Sequence, residues 1–364
     1  METLRYAVVG LGWIAQESIL PAFQNAQSSV LAALVSSDIA KADELGKQYS
    51  VSRTCTYAQY DELLASGAID AVYIGLPNSM HGDFAARAAR AGIHILCEKP
   101  MASTAEECET MIHIAARNRI RLMVAYRLHF EPANLKAIEI IRDGIIGEPR
   151  FFSSVFSQQV EPGNIRLKRD LGGGPLMDLG VYPVNAARYL FGTEPIEVSA
   201  IGGSSEDSRF DEVHEMASAI LRFPGDRLAS FTSSMGASPS DHYEVIGTKG
   251  SLRLTPAFSY HQPKTLKVTR DGETRAQHFD RIDQFGAELD YFTRCVLNHE
   301  EPEPSGQEGW ADLRVVDALL RSMRSRKTVR LEPFERGTRP TRRQEYEMPP
   351  VEAEEIVHAH PPSK

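Results

Sequence analysis

A glycine-rich turn directly after the first predicted strand constrains the fold of this chain more than any other feature. Residues 6–10 (YAVVG) are a short apolar run, and Gly10, Gly12 and Ala15 follow in a G-x-G-x-x-A pattern that leads into a predicted helix. The first glycine permits a tight turn, the second lets backbone approach a pyrophosphate, and the small third residue lets the helix pack on the strand. The pattern therefore predicts a dinucleotide-binding turn at the start of the chain.

The rest of the first third alternates between apolar runs and helical patterns. Further apolar runs, typical of strands buried on both faces, occupy residues 30–36, 71–77, 94–98 and 121–126. Helical patterns lie between them, at residues 38–49, 80–92 and 103–118. This alternation predicts an α/β Rossmann domain with a doubly wound parallel sheet over residues 1–126.

A different pattern begins near residue 127. Several strand-like runs lie between residues 196 and 270, and Gly, Pro or Asp interrupts them every 8 to 12 residues. That spacing predicts an α+β domain built on a large, mostly antiparallel sheet over residues 127–332. Residues 333–364 are rich in proline and charge with little apolar content, which predicts a loose tail or an arm on a neighbouring subunit.

Composition excludes several classes of protein. The formal net charge of –9 disfavours nucleic-acid binding, because phosphate contacts need a basic face. No apolar run approaches the roughly 18 residues of a membrane span, and no secretory signal is recognisable, so we expect a cytoplasmic protein. The four cysteines lack metal-site spacing, which predicts free thiols and no metal centre.

The end of the second strand bears on the choice of cofactor. An acid at this point would bind the ribose 2′-hydroxyl of NAD. The sequence instead offers the hydroxyls of Ser36 and Ser37 and, a turn later, the cation of Lys41, which suit a 2′-phosphate and favour NADP. Asp38 leaves NAD open, because its carboxylate could cap the next helix or bind the 2′-hydroxyl.

Two further segments carry chemistry-bearing side chains. Pro77 and Asn78 follow one strand and Glu98 and Lys99 close the next, and the carboxyl ends of parallel strands form the ligand edge of such a sheet. In "GGGPLMDLGVYPVN" an acid and a phenol lie four residues apart, a spacing that puts both side chains on one helical face. They are either a helix cap and a core residue or one half of a catalytic site.

Taken as a set, "AVVGLG", "AVYIGLPNSMH", "CEKPMAS", "MVAYRLHFEP" and "GGGPLMDLGVYPVNAARYLFG" resemble the glucose–fructose oxidoreductase/inositol dehydrogenase family over residues 4–331. Within that family the chain is most similar to the branch of glucose–fructose oxidoreductase and the NADP-dependent D-xylose dehydrogenases. Many relatives have histidine where this chain has Tyr182, and the tyrosine is shared with the sugar enzymes and with dihydrodiol dehydrogenases.

The resemblance implies a set of roles for residues of this chain. The catalytic residues would be Lys99, Asp178 and Tyr182. The cofactor-binding residues would be Gly10, Gly12, Trp13, Ile14, Ser36, Ser37, Lys41, Leu76, Pro77, Asn78, His81, Glu98, Lys99 and Arg127. The sugar would contact Lys99, Tyr126, His129, Arg166, Arg169, Asp178 and Tyr182.

The resemblance also implies a reaction and an assembly. A hydride would pass from C1 of an aldopyranose to NADP, giving a lactone, with Tyr182 as the base that the charge of Lys99 makes effective. Reduction of a ketose would be the reverse chemistry. A dihydrodiol dehydrogenase or a non-catalytic NAD(P)-binding sugar sensor of the same fold would be compatible with the same motifs. A homodimer or homotetramer would form through the sheet of the second domain.

Overall fold

The computed structural model describes residues 2–363, which form two compact units. Unit 1 comprises residues 2–127, 282–310 and 346–361, and unit 2 comprises residues 128–281, 311–345 and 362–363. Met1 and Lys364, the outer ends of the first and last predicted segments, lie outside the described residues. Each unit is therefore discontinuous in sequence, in contrast to the contiguous divisions 1–126, 127–332 and 333–364 expected from the sequence.

Unit 1 contains a six-stranded parallel sheet with the strand order β3-β2-β1-β4-β5-β6. The strands are β1 (Leu4–Val9), β2 (Ser29–Ser36), β3 (Thr54–Thr56), β4 (Ala71–Ile74), β5 (His94–Glu98) and β6 (Leu122–Ala125). The order reverses between β1 and β4, which makes their carboxyl ends the expected place for a ligand. The predicted Rossmann fold is confirmed.

Helices form at the three predicted ranges, 38–49, 80–92 and 103–118, whereas a short helix at residues 60–65 was not predicted. In chain order the helices are α1 (Leu20–Ala22), α2 (Ile39–Gln48), α3 (Tyr60–Ala65), α4 (His81–Arg90), α5 (Ala105–Arg117), α6 (Pro132–Arg142), α7 (Val181–Phe191), α8 (Gln284–Leu297) and α9 (Gly306–Ser325). Two short π-helical turns, Ala15–Ile19 and Leu176–Gly180, directly precede α1 and α7. Such turns are rare and are frequently found at functional sites.

Unit 2 contains a nine-stranded sheet in the order β14-β13-β12-β11-β7-β10-β9-β8-β15. Its strands are β7 (Pro149–Gln159), β8 (Glu197–Gly203), β9 (Met216–Phe223), β10 (Arg227–Ser234), β11 (Gly236–Gly247), β12 (Gly250–Thr255), β13 (Lys264–Arg270), β14 (Glu273–Phe279) and β15 (Val329–Arg330). Only the β7–β10 pairing is parallel among the described strands of this sheet, which confirms the mostly antiparallel prediction. Residues of β9 alternate strictly between exposed and buried, so the sheet has one open face.

Helix α8 joins unit 1 although it lies far along the chain. The hydroxyl of Thr293 on α8 lies 2.9 Å from the Tyr6 hydroxyl and 2.7 Å from Ser29 Oγ, so hydroxyl groups of β1, β2 and α8 meet inside the unit. These contacts explain why a helix expected in the second domain belongs to the first.

The C-terminal segment, residues 346–361, also packs on unit 1. Asn25 Nδ2 donates to the Pro349 carbonyl at 2.7 Å, and the Asp283 amide donates to the Met348 carbonyl at 3.1 Å. This differs from the predicted loose tail or arm on a neighbour, because the segment is fixed through its backbone groups, which composition does not reveal.

No helix among residues 2–363 is both long and apolar enough to cross a membrane. Within the same residues, no group of three or more His, Cys, Asp and Glu side chains could hold a metal ion. All four cysteines are free thiols.

Candidate active site

The glycine-rich turn has the two properties that the sequence predicts. Gly10 has a φ of +93°, and a Cβ at this residue would lie 2.6 Å from the Gly75 carbonyl oxygen, so only glycine fits between the two loops. A Cβ on Gly12 would meet nothing within 4 Å, which leaves its backbone facing open space. Trp13 and Ile14, the next residues, are half-buried. The turn therefore fits a dinucleotide pyrophosphate at the start of the first helix.

The end of β2 shows what Asp38 does in this fold. Its Oδ1 accepts a 3.1 Å hydrogen bond from the Lys41 amide, which caps α2. That amide is the largest cause of the lowered pKa of Asp38. The Asp38 amide in turn donates to Ser36 Oγ at 3.1 Å, while Ser37 is exposed. Asp38 is thus a helix cap, and Ser37 lies exposed where a ribose substituent is expected.

The loop after β4 lies against the glycine-rich turn through Leu76, and it leads through Pro77 and Asn78 into α4. His81, predicted to contact the cofactor, is fully buried, and its ring nitrogens lie 2.8 Å from the Leu76 carbonyl and 3.1 Å from the Pro100 carbonyl. Burial lowers the pKa of His81, and the carbonyls of Leu76 and Pro100 oppose that shift. A neutral ring carries a single N–H and can donate it to only one of these two carbonyls. This is a correction: His81 ties two loops together and has no exposed ring to offer a ligand.

Strand β5 ends at Glu98, the loop after it begins with Lys99, and hydrogen bonds of Glu98 fix the backbone at this junction. The Tyr73 hydroxyl donates to Glu98 Oε1 at 2.6 Å, and Glu98 Oε2 accepts the Lys99 amide at 3.1 Å. The Lys99–Pro100 peptide bond is cis. Loss of hydration among the surrounding protein atoms raises the pKa of the partly buried Glu98, and the charge of Lys99 opposes that rise. Glu98 therefore holds the backbone of the lysine that follows it.

Arg127 is buried with an acid that the sequence analysis missed. Its Nη1 donates to Gln284 Oε1 on α8 at 2.9 Å, and its guanidinium lies 5.9 Å from the Phe285 ring centroid. Glu288, one turn further along α8, is fully buried. Burial raises the pKa of Glu288 well above its ordinary value, the nearby Glu98 adds to the rise, and Arg127 opposes it. The only sequence signal was an acid inside an otherwise apolar helical face.

In unit 2, Arg166 and Asp178 form an ion pair with Nε and Oδ2 2.9 Å apart. The glycine-rich loop before Asp178 positions the arginine, since the Gly174 amide donates to the Arg166 carbonyl at 2.9 Å. The Asp178 amide then donates to the Gly174 carbonyl at 3.0 Å. Both side chains are partly accessible, with 27% and 14% of their surfaces exposed. The structure therefore joins two residues that the sequence placed in the sugar pocket separately.

Tyr182 lies in the first turn of α7, whereas Asp178 lies in the π-helical turn before it. The four-residue spacing therefore crosses a junction between two kinds of helix, and does not lie on the regular helix that the sequence predicts. The Tyr182 ring packs against Phe156 and Phe258, with centroids 5.4 and 5.7 Å away. The aromatic contacts fix the ring, and the half-buried residue remains accessible.

Three other residues predicted to contact the sugar interact with neighbouring groups of the protein or are buried. His129 is fully buried, with Nε2 3.0 Å from Asn185 Oδ1, and Arg169 donates from Nε to the Glu212 carbonyl at 2.8 Å. Tyr126 is only 6% exposed. His129 and Tyr126 are buried, which differs from the expectation that their side chains contact the sugar, whereas Arg169 is exposed and its sugar contact stays a prediction.

Comparison with known proteins identifies the family. Residues 4–126 match the profile of the GFO/IDH/MocA oxidoreductase family with its NAD-binding Rossmann fold. Residues 134–253 match the C-terminal domain of the same family. The chain therefore belongs to the GFO/IDH/MocA oxidoreductases, as the resemblance of its motifs predicted.

Individual relatives cover most of the chain. A D-xylose 1-dehydrogenase [NADP(+)] of Haloarcula marismortui is 35% identical over 90% of this chain and 93% of its own. The crystal structure of an aldose-aldose oxidoreductase from Caulobacter crescentus, complexed with glycerol, is similar with a TM-score of 0.87 and 38% identity over 91% of this chain and 100% of its own. KijD10, a 3-ketoreductase from Actinomadura kijaniata solved with NADP and TDP-benzene, has a TM-score of 0.82 and 27% identity over 88% and 98%.

Proposed function

We propose that this chain is an NADP-dependent sugar oxidoreductase that transfers a hydride between C1 of an aldopyranose, of the D-glucose or D-xylose type, and the nicotinamide. The product of oxidation is a lactone, and a ketose is reduced in the reverse direction. The observation that carries the proposal is that one chain combines a lysine after a strand of unit 1 with an acid and a phenol on either side of the junction between a π-helical turn and α7 in unit 2. The names of the Haloarcula and Caulobacter relatives support the sugar class.

The cofactor proposal rests on the geometry of unit 1. Bound NADP supplies a nicotinamide ring that accepts the hydride. Gly10, Gly12, Trp13 and Ile14 hold its pyrophosphate, and the exposed Ser37 with Lys41 binds the 2′-phosphate beside the buried Ser36. Asp38 uses Oδ1 to cap α2, so this oxygen is not available to a ribose 2′-hydroxyl. Leu76, Pro77, Asn78 and the Glu98–Lys99 turn would hold the nicotinamide half.

The proton chemistry belongs to Lys99, Asp178 and Tyr182. Tyr182 removes the C1 hydroxyl proton during oxidation and returns it during reduction. The Lys99 ammonium stabilises negative charge that develops on the sugar during the reaction. Asp178, held by Arg166, orients a neighbouring sugar hydroxyl. Arg127 and His81 act indirectly in this scheme, by fixing α8 and the loops that carry the ligand-facing residues.

Replacing one hydroxyl tests the role of the phenol. Tyr182→Phe retains the ring contacts with Phe156 and Phe258, so the fold is kept and only the proton acceptor is lost. We expect turnover of the active aldose to fall by roughly 10²–10⁴-fold, the range for a general acid–base group. Tyr291→Phe, which removes a hydroxyl that accepts the Glu303 amide in unit 1, is the control. Unchanged turnover in Tyr182→Phe would contradict the assignment.

A panel of substrates separates the alternatives. Aldoses, a ketose and a dihydrodiol are incubated with the protein and either NADP or NAD, and NADPH or NADH absorbance is followed. Reduction of NADP by D-xylose or D-glucose supports the proposal. Activity confined to the dihydrodiol indicates the other enzyme class, and cofactor binding without turnover of any substrate indicates a sensor.

Assembly and location stay predictions. The open face of the unit 2 sheet carries exposed aliphatic side chains, including Ile201 at 79% and Ile220 at 54% exposure. A second copy covering this face would bury them, which favours a homodimer or homotetramer. A cytoplasmic location follows from the sequence argument alone.

A further inference from the structure

The C-terminal segment follows helix α2 from its end towards the ligand edge of the parallel sheet. Near the end of α2, Gln48 Nε2 donates to the Glu355 carbonyl at 3.3 Å. Three residues later, His358 Nδ1 lies 3.6 Å from Asp38 Oδ2, at the cap that begins the same helix. The segment therefore passes along one helix of unit 1 and reaches the end of β2.

A buried glutamine fastens the segment to the glycine-rich turn. Gln16 is 1% exposed, and its Nε2 donates to the Leu11 carbonyl at 2.8 Å and to the Val357 carbonyl at 2.9 Å. Its Oε1 accepts the Val357 amide at 2.7 Å. The Val357 side chain is itself buried, at 5% exposure. One side chain thus joins the backbone of the glycine-rich turn to the backbone of the C-terminal segment.

These two anchor points flank the place where a Rossmann fold receives the adenosine ribose. The ribose of a bound dinucleotide lies between the glycine-rich turn and the end of the second strand. Val357 is attached to the first of these, and His358 is beside the second. The C-terminal segment therefore lies at the adenosine side of the cofactor site, within hydrogen-bonding distance of its walls.

A second polar side chain accompanies Asp38 at the place where a ribose phosphate is expected. The carboxylate of Asp38 would repel a 2′-phosphate, as an acid in this position does in NAD-selective sites. The imidazole of His358 stands beside that carboxylate, with Nδ1 3.6 Å from Oδ2, and is 68% exposed, so its ring nitrogens can reach a ligand at this point.

We propose that the C-terminal segment is part of the cofactor site: it covers the adenosine side, slows release of NADP(H), and brings His358 to the 2′-phosphate. The inference rests on the proposed NADP-dependent function. It extends that function by assigning a ligand-binding role to a segment that lies outside the matched family regions.

Release of NADPH is the direct test. Val357→Asp places a charge at the buried anchor without changing any residue of the Rossmann core, and Val30→Asp makes the same change at an exposed valine of unit 1. The dissociation rate is measured by stopped-flow fluorescence after NADPH-loaded protein is mixed with excess NADP. We expect release about tenfold faster in Val357→Asp and unchanged in Val30→Asp, since most affinity changes appear in the dissociation rate.

A second variant tests the phosphate contact on a surface residue whose loss leaves the fold intact. His358→Ala is compared with His113→Ala, an exposed histidine on α5. Equilibrium titration is expected to show NADPH binding weakened about three- to tenfold by His358→Ala and NADH binding unchanged, because only NADPH carries the extra charge.

The outcomes separate this inference from the proposed function. If the wild-type chain binds NADPH but neither variant differs from its control, the segment has no role in the cofactor site. Tighter NADPH binding in Val357→Asp would mean that the segment obstructs the site, which also overturns the inference. Absence of NADPH binding by the wild-type chain would overturn both proposals. Sugar oxidation is not measured in either test.

Discussion

Two glycines of the same turn, Gly10 and Gly12, are expected to respond in opposite ways to the same substitution. At Gly10 an alanine must adopt a φ of +93° and place its Cβ 2.6 Å from the Gly75 carbonyl oxygen and 2.8 Å from its carbon. At Gly12 the added Cβ meets no atom within 4 Å. The first substitution therefore perturbs the fold, whereas the second perturbs only what binds beside the turn.

The magnitude for Gly10→Ala follows from two costs. The left-handed backbone costs an L-residue about 1–2 kcal/mol. Overpacking against backbone atoms that cannot rotate away adds about 1–3 kcal/mol. We expect the free energy of unfolding of the cofactor-free protein to fall by about 2–5 kcal/mol in Gly10→Ala, and by less than about 0.5 kcal/mol in Gly12→Ala.

Gly12→Ala is expected to weaken NADPH binding although it leaves stability nearly unchanged. Its Cβ projects into the open space where a pyrophosphate approaches the backbone, so NADPH affinity should fall at least about tenfold, or 1.4 kcal/mol. Urea denaturation without cofactor and fluorescence titration with NADPH give the two quantities for each variant. Equal stability losses in both variants, or wild-type NADPH affinity in Gly12→Ala, would refute the reasoning.

Other predictions concern buried charge and the open sheet face. Arg188 is fully buried between the carboxylates of Glu194 and Asp312, so Arg188→Ala should lower the free energy of unfolding by about 3–5 kcal/mol in denaturant titrations, whereas exposed Arg222→Ala should cost under about 1 kcal/mol. Because the pKa of Glu288 is higher in the folded than in the unfolded chain, the folded state binds more protons and stability falls as pH rises from the unfolded value towards the folded one. Glu288→Gln should remove that fall, so the free energy of unfolding of the variant, measured relative to wild type by urea titration, should increase between pH 5 and pH 8. A difference between variant and wild type that stays the same over this pH range would contradict the prediction. Ile220→Asp should shift the assembly towards monomer in light scattering at micromolar concentration, and an unchanged mass would argue against this face as the interface.

The sequence predicts the parts of the fold that depend on local pattern. The apolar run of β1, the small residues after it and the periodicity of α2, α4 and α5 are each sufficient to define an element. The sequence does not predict β3, because its three residues form no apolar run. It does not predict the π-helical turns either, because five residues are too few for their period to be distinguished from that of an α-helix.

The site was predictable to the level of motifs and less so to the level of side chains. Lys99 follows the strand expected of it, whereas Asp178 lies in a π-helical turn before the predicted helix. Proximity in sequence also selected His81 and His129, whose rings face backbone and side-chain groups inside the fold. The Arg166–Asp178 pair depends on how a glycine-rich loop folds back, and this is a tertiary property. The C-terminal segment packs on unit 1 through Val357 and main-chain groups. Its charged composition does not reveal these contacts and instead suggested a loose tail or an arm on a neighbouring subunit.

The central claim is that the hydride comes from C1 of an aldose. Incubation of the protein with NADP and D-xylose carrying deuterium at C1, followed by mass spectrometry of the reduced cofactor, tests it directly. The proposed function predicts that the NADPH formed carries one deuterium and that the sugar product is the lactone or its hydrolysis product. Unlabelled NADPH would show that the hydride leaves another carbon, and no reduction of NADP by any labelled aldose would contradict the sugar dehydrogenase assignment itself.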